Sequence, residues 1–241
     1  MQQQVHPPIL PAATPIRKAD GAKPVVARSA RRRRPAQGRH GDTPRPRSRA
    51  VATFPTHTPE TAPEAARPIL AGAKAGWGFV PNLHAKLAEA PVTLEAYGHL
   101  FDAFGKTSLT PAEQQVAYLT VSAIHECEYC VSGHSVLAQG AGLDAATIEA
   151  LREGGRLADA KLEALRAYTA ALVNLRGRVP PRVLQDFLDA GYTSRQALEV
   201  LVAVAAKTIS NYANHLTGTP LDGFMAKTAW VAPSRRARAA A

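Results

Sequence analysis

The chain has 241 residues, 46% of them apolar, enough for one large or two small domains with a core of ordinary size. Its formal net charge of +10 sits wholly in residues 1–50, which hold twelve Lys or Arg and two acids; the other 191 residues carry seventeen charges of each sign, so the folded body should offer no basic nucleic-acid-binding face. No apolar window of about 18 residues is present, and no apolar run of about 7–15 residues lies near the start, so neither a membrane span nor a secretory signal is expected, and the reading is a cytoplasmic protein with reduced thiols.

Residues 1–52 are rich in Pro, Arg, Ala and Ser, as in "RSARRRRPAQGRHGDTPRPRSR", and are expected to be a disordered tail or a misassigned start. No aromatic residue is interleaved with the arginines, which weighs against a polyanion-binding arm. From residue 53 to 232 the pattern is helical. "TLEAYGHLFDAFGK" puts Leu94, Tyr97, Leu100, Phe101 and Phe104 on one stripe, the signature of a core helix. "LTPAEQQVAYLTVSAIHE" opens with Thr110 as N-cap, Pro111 at the first helical position and Glu113 closing a capping box; Val116, Leu119, Ala123 and Ile124 mark its buried side. Further helices are expected near 143–153, 159–176, 181–190 and 194–213, the last opened by a second capping box in "TSRQALE" and continuing through the apolar "VLVAVAAKTI". No alternating strand pattern appears. The expected fold is all-α with six to eight helices, and residues 233–241 read as a frayed C-terminal tail.

Both cysteines lie in "SAIHECEYCVSGHSVLAQG", at the spacing C-x-x-C-x-x-x-H formed by Cys127, Cys130 and His134. On a helix spanning 127–138 these three residues and Val131 share one face. A thiolate at a helix N-terminus is favoured by the free amides and the dipole, the histidine can exchange its proton, and the second cysteine can condense with a sulfenic acid to give a disulfide. That set suffices for peroxide or disulfide chemistry without a bound cofactor, and no nucleotide motif is present. Two other readings of the residues stand beside it. With His125 the stretch supplies four ligands for zinc, though crowded into ten residues. Alternatively, two core cysteines lie beside a satisfied histidine; the polar neighbours Glu126, Glu128, Ser132 and Ser135 argue against so dry an environment. Near the C-terminus, Asn211, Asn214 and His215 end an apolar helix in "TISNYANHLTGTPLD"; Asn214 and His215 are read as groups satisfying its last carbonyls, with an approach of His215 or Asn211 to the cysteines as the alternative.

The segment "LTPAEQQVAYLTVSAIHECEYCVSGHSVLAQGAGL" resembles the core motif of the carboxymuconolactone decarboxylase superfamily, in its alkylhydroperoxidase D-like, peroxidase-related branch, with likeness extending over about residues 53–232. The resemblance implies an all-helical homo-oligomer, trimer or hexamer, whose Cys127–Cys130 pair forms a redox disulfide. It implies reduction of organic or hydrogen peroxide with electrons from an external dithiol carrier of peroxiredoxin, lipoyl or thioredoxin type. Cys127, Cys130 and His134 match the motif residue for residue. The family has a proton-relaying Glu twelve residues before the first cysteine, where this chain has Gln115; either the relay is shorter here, or Glu126, Glu128 or His215 takes it over, or turnover is weak, and Glu113 is the poorest substitute because it is engaged in its capping box. Proximity to His134 favours Cys130 as the attacking residue, and the helix-terminus argument favours Cys127. Decarboxylases of the superfamily generally lack the cysteine pair, so lactone chemistry is the lesser implication, alongside a non-enzymatic oligomer with a redox-sensing or zinc-binding site.

Overall fold

The computed structural model describes residues 53–240; the expected tail of residues 1–52 lies outside them. Among the described residues there is no strand, and ten α-helices follow one another: α1 (Arg67–Trp77), α2 (Asn82–Leu87), α3 (Pro91–Gly105), α4 (Pro111–Ile124), α5 (Glu128–Gly140), α6 (Ala145–Arg152), α7 (Ala160–Asn174), α8 (Pro181–Asp189), α9 (Ser194–Thr217) and α10 (Pro233–Ala239). Turns of 3-10 helix at Glu64–Ala66 and Gly223–Thr228 precede α1 and follow α9. The all-α class agrees with the sequence. The helices outnumber the expected six to eight because several are too short to announce themselves: six-residue α2 is held by burying Leu83, Ala85 and Leu87, not by its own propensity.

Both expected capping boxes form. Thr110 accepts from the Glu113 amide while Glu113 accepts from the Thr110 amide, and Thr193 does the same with Gln196. Each replaces orphan amides of the first turn with local partners, an effect worth about 1 kcal/mol per cap. α9 stops at Gly218, whose left-handed backbone (φ +59) ends the helix.

Two apolar clusters make the core. The larger is built on α4, with Val116 and Leu119 packed among Phe104 of α3 and Leu151, Leu165, Phe187 and Val200 from the following helices. The smaller gathers α1 to α3, through Leu70, Leu83, Leu94 and Tyr97, around Cys127, Cys130 and Met225. α9 packs against α2, α3, α4, α5 and α7, so this one long helix reaches both clusters. The exposed helix α10 is tied back through Ser234, Arg235 and Arg236 to Glu126, Glu128 and Glu153.

Candidate active site

The dithiol is positioned by a tight reversal between α4 and α5. The Glu126 amide donates to the Ala123 carbonyl and the Cys127 amide to the Ser122 carbonyl, each at 3.0 Å, which closes a Schellman-type helix end. The left-handed position falls on Glu126 (φ 53) and not on a glycine, a strain of about 1 kcal/mol. The Glu126 carboxylate offsets it by accepting from the amide and hydroxyl of Ser234. Cys127 thereby becomes the N-cap of α5, and Cys130 and His134 follow on the buried face of that helix.

A second set of polar groups faces the sulfurs from α9. Lys207, Ser210, Asn211 and Asn214 recur at i, i+3, i+4 and i+7, so one helix face carries all four, and all are buried, Lys207 to 2% exposure. Asn214 Nδ2 donates to Cys130 Sγ at 3.3 Å and to Cys127 Sγ at 3.6 Å. Ser210 Oγ lies 3.9 Å from Cys130 Sγ. The Lys207 ammonium sits 5.4 Å from the centre of the Tyr118 ring, a cation–π contact, and adjoins Cys130.

These neighbours split the two thiols. The hydrogen bond to Cys130, with burial and the nearby negative charge, holds the Cys127 proton on and pushes its pKa well above the ordinary thiol range. Burial also opposes charge on Cys130, but the Cys127 hydrogen bond, the Lys207 cation and the Ser210 hydroxyl outweigh it and bring the pKa down to about 6. Near neutral pH the pair is therefore a monoanion, with Cys130 as thiolate and Cys127 as the thiol that donates to it.

His134 is the third member of the cluster. Burial, reinforced by the Lys207 charge, holds its pKa well below 6.5, so the imidazole is neutral. Its Nδ1 lies 2.8 Å from Gln115 Oε1. An amide oxygen accepts and does not donate, so this contact places the proton on Nδ1 and leaves Nε2 as the basic nitrogen. The ring packs at 4.7 Å, centre to centre, on Tyr118.

Cys130, His134 and Lys207 open together into a cavity of about 60 Å³, whose other walls are chiefly aromatic and aliphatic, including Trp77, Tyr97, Phe101, Tyr129 and Phe224. Met225 closes one side over Gly133, a position where a Cβ would meet its terminal methyl at 2.9 Å. The segment carrying Phe224 and Met225 is anchored by Asp222, which accepts from Tyr129 Oη and from the Asn82 amide.

Of the sequence-predicted residues, Cys127, Cys130, His134 and Gln115 come together. Glu126 and Glu128 bind the C-terminal segment, Glu128 through the Ala232 amide at 3.0 Å and through Arg235. His215 is exposed. Glu113 keeps its capping box and pairs with Lys161 at 3.0 Å. The capping role read for Asn214 is corrected, since its side chain serves the sulfurs while Gly218 ends the helix. Ser132 and Ser135 are buried and satisfied, by the Trp230 amide and by the Val131 carbonyl and Arg152 respectively. His125 turns to Asn211 and Tyr212, and no cluster of three or more His, Cys, Asp or Glu suited to a metal forms among the described residues. Lys207 and Ser210 were missed; their signal was a cation inside an apolar helical run, in register with two asparagines.

Fold and site together define an all-helical protein with a buried, polarised C-x-x-C dithiol. Residues 91–173 match the carboxymuconolactone decarboxylase family. Among solved structures it is similar to the alkylhydroperoxidase AhpD core of an uncharacterized peroxidase-related protein from Ralstonia eutropha JMP134, with 18% identity, a TM-score of 0.62, and 74% of this chain and 96% of that one covered. An uncharacterized peroxidase-related protein from Silicibacter sp. TM1040 gives 17% identity, a TM-score of 0.62, and coverage of 75% and 95%. The debrominase Bmp8, solved as a cysteine-to-alanine variant with 2,3,4-tribromopyrrole, gives 19%, 0.59, and coverage of 74% and 96%. No curated protein matches the sequence.

Proposed function

We propose that this protein is a thiol-dependent peroxidase that cycles Cys127 and Cys130 between dithiol and disulfide. The observation that carries the reading is the pairing of one buried thiolate with one buried thiol under a lysine, an asparagine and a neutral histidine. Cys130 Sγ attacks the terminal oxygen of a hydroperoxide, the O–O bond breaks, and Cys130 becomes a sulfenic acid. The departing alkoxide takes a proton from the Lys207 ammonium and leaves as an alcohol. His134 Nε2 then receives the Cys127 proton as Cys127 Sγ attacks Cys130 Sγ. The S–O bond breaks, hydroxide takes that proton and leaves as water, and the disulfide remains. An external dithiol carrier returns two electrons and two protons, restoring the Cys127 thiol and the charged Lys207.

Cys130 is the attacking residue on this reading because it borders the cavity and carries the charge. Gln115 fixes the tautomer of His134 without itself exchanging a proton, so His134 serves as the base without a carboxylate behind it. A homo-oligomer in the cytoplasm is part of the proposal: Leu198, Leu201, Tyr212 and Leu216 are exposed along α9, an apolar stripe suited to a second copy.

The test is peroxide-dependent oxidation of a dithiol reductant by wild type, Cys127→Ser, Cys130→Ser and His134→Ala. Wild type should turn over and form the intramolecular disulfide, Cys127→Ser should stop after one equivalent of peroxide, and Cys130→Ser should be inert. If all four consume peroxide at the uncatalysed rate and the wild-type pair stays reduced, the reading is wrong.

A further inference from the structure

His84 occupies the inner wall of the cavity and is not used by the chemistry above. It is buried to 5% exposure, burial alone lowers its pKa to about 4, and neither ring nitrogen has a hydrogen-bond partner. Its ring meets Tyr97 edge-on, with centres 5.7 Å apart, a contact that satisfies neither nitrogen. α2 holds it there, between the buried Leu83 and Ala85, with Leu83 and Leu87 in the smaller apolar cluster. An enclosed imidazole with two unpaired nitrogens is costly, and a hydrogen-bonding group entering the cavity would relieve that cost.

The lining says what that group belongs to. The inner residues Leu83, Tyr97, Tyr129 and Met225 are buried, whereas Trp77 and Phe224 are partly exposed and stack at the entrance, their ring centres 6.4 Å apart. Among the described residues no carboxylate borders the space, and the Lys207 charge is countered by the Cys130 thiolate. The cavity thus disfavours net charge, favours flat hydrocarbon at its mouth, and asks for one hydrogen-bonding group at its inner end. About 60 Å³ admits that polar end and leaves the rest of a ring to lie against the edges of Trp77 and Phe224.

We infer that this cavity is a binding site for a small uncharged aromatic molecule carrying a hydroxyl group, a phenol in class, with His84 as the anchor of the hydroxyl and the Trp77–Phe224 pair as the seat of the ring. Either nitrogen can meet it: the protonated one donates to the hydroxyl oxygen, the other accepts its hydrogen. The inference rests on the proposed function only in taking the cavity as the approach to Cys130, and its test involves no turnover.

Phenol and toluene, alike in shape but for the hydroxyl, are titrated by calorimetry into reduced full-length wild type, His84→Phe and His84→Gln, and alkylation of Cys130 by iodoacetamide is timed with and without phenol. Wild type should bind phenol about tenfold more tightly than toluene. His84→Phe should lose that preference while still binding toluene, which shows that it is folded; His84→Gln should keep phenol affinity within about threefold; and phenol should slow alkylation of Cys130. Equal wild-type affinity for the two ligands, an undiminished phenol preference in His84→Phe, or unprotected Cys130 would overturn the inference. Phenol binding with no peroxide turnover would remove the proposed function alone, and turnover without a His84-dependent preference would remove this one alone.

Discussion

Replacing Lys207 by methionine removes a buried charge while nearly keeping its volume. The fall of Cys130 from 9.0 to about 6 corresponds to about 4 kcal/mol in favour of the thiolate, at about 1.4 kcal/mol per pH unit. The Cys127 hydrogen bond supplies the largest favourable share and Lys207, as charge and donor, the next. A charged hydrogen bond is worth about 1.5–3 kcal/mol, so Lys207→Met should raise the Cys130 midpoint by about 1 to 2 pH units. At pH 7 the thiolate would fall from about nine-tenths to between about a half and a tenth of the protein. Ultraviolet thiolate absorbance against pH reads this directly, and the pH dependence of iodoacetamide alkylation gives an independent midpoint. The sign extends to stability. Between about pH 6 and 9 the unfolded chain keeps a proton on Cys130 that the folded chain has released, so wild-type stability rises with pH across that window. Lys207→Met should flatten the rise. An unchanged midpoint in Lys207→Met would refute the assignment of Lys207 as the counter-charge, and with it the protonation of the leaving alkoxide by this residue.

The other expectations concern its neighbours. Asn214→Asp puts a carboxylate where an amide now donates at 3.3 Å, and the thiolate midpoint should climb above about 8; a midpoint left near 6 would show that Asn214 does not govern the sulfur's charge. Gln115→Glu places an acceptor with negative charge 2.8 Å from His134 Nδ1, which favours the imidazolium, so the acid limb of the turnover profile should move to higher pH; an unmoved limb would separate His134 from the relay. His84 has its folded pKa at about 4 against 6.5 ordinarily, so the unfolded chain gains the proton first as pH falls and up to about 3 kcal/mol of stability is lost between pH 6.5 and 4. Denaturant unfolding at the two pH values should show a loss smaller by about that amount in His84→Phe, and an equal loss would mean that the imidazole is not enclosed. Gly133→Ala must displace the Met225 terminal methyl, which a Cβ would meet at 2.9 Å, and reshape the cavity wall, raising KM for a bulky organic hydroperoxide several-fold more than for hydrogen peroxide; equal effects would mean that the cavity is not the substrate's path.

What the sequence determined by itself was whatever is written within about ten residues of itself. The Thr110 and Thr193 capping boxes, the Leu94–Phe104 stripe and the shared face of Cys127, Cys130 and His134 all follow from helical periodicity and local hydrogen bonding, and each forms as read. The substitution at Gln115 was also legible, because the motif fixes its distance from Cys127 along the chain. Which acid would relay the proton was not legible, because Glu126 and Glu128 were judged by nearness in sequence, and the turn at Glu126 carries both toward the C-terminal segment. Charge on the dithiol belongs to tertiary structure for the same reason. Ser210 and Asn214 reach Cys130 across 80 and 84 residues, and Lys207 becomes a counter-ion only because α9 packs against α5 with its buried polar residues turned to the sulfurs. The dithiol is a local pattern that any helix would have assembled; its division into one thiolate and one thiol is a matter of dielectric and distance, and these exist only once the helices have packed.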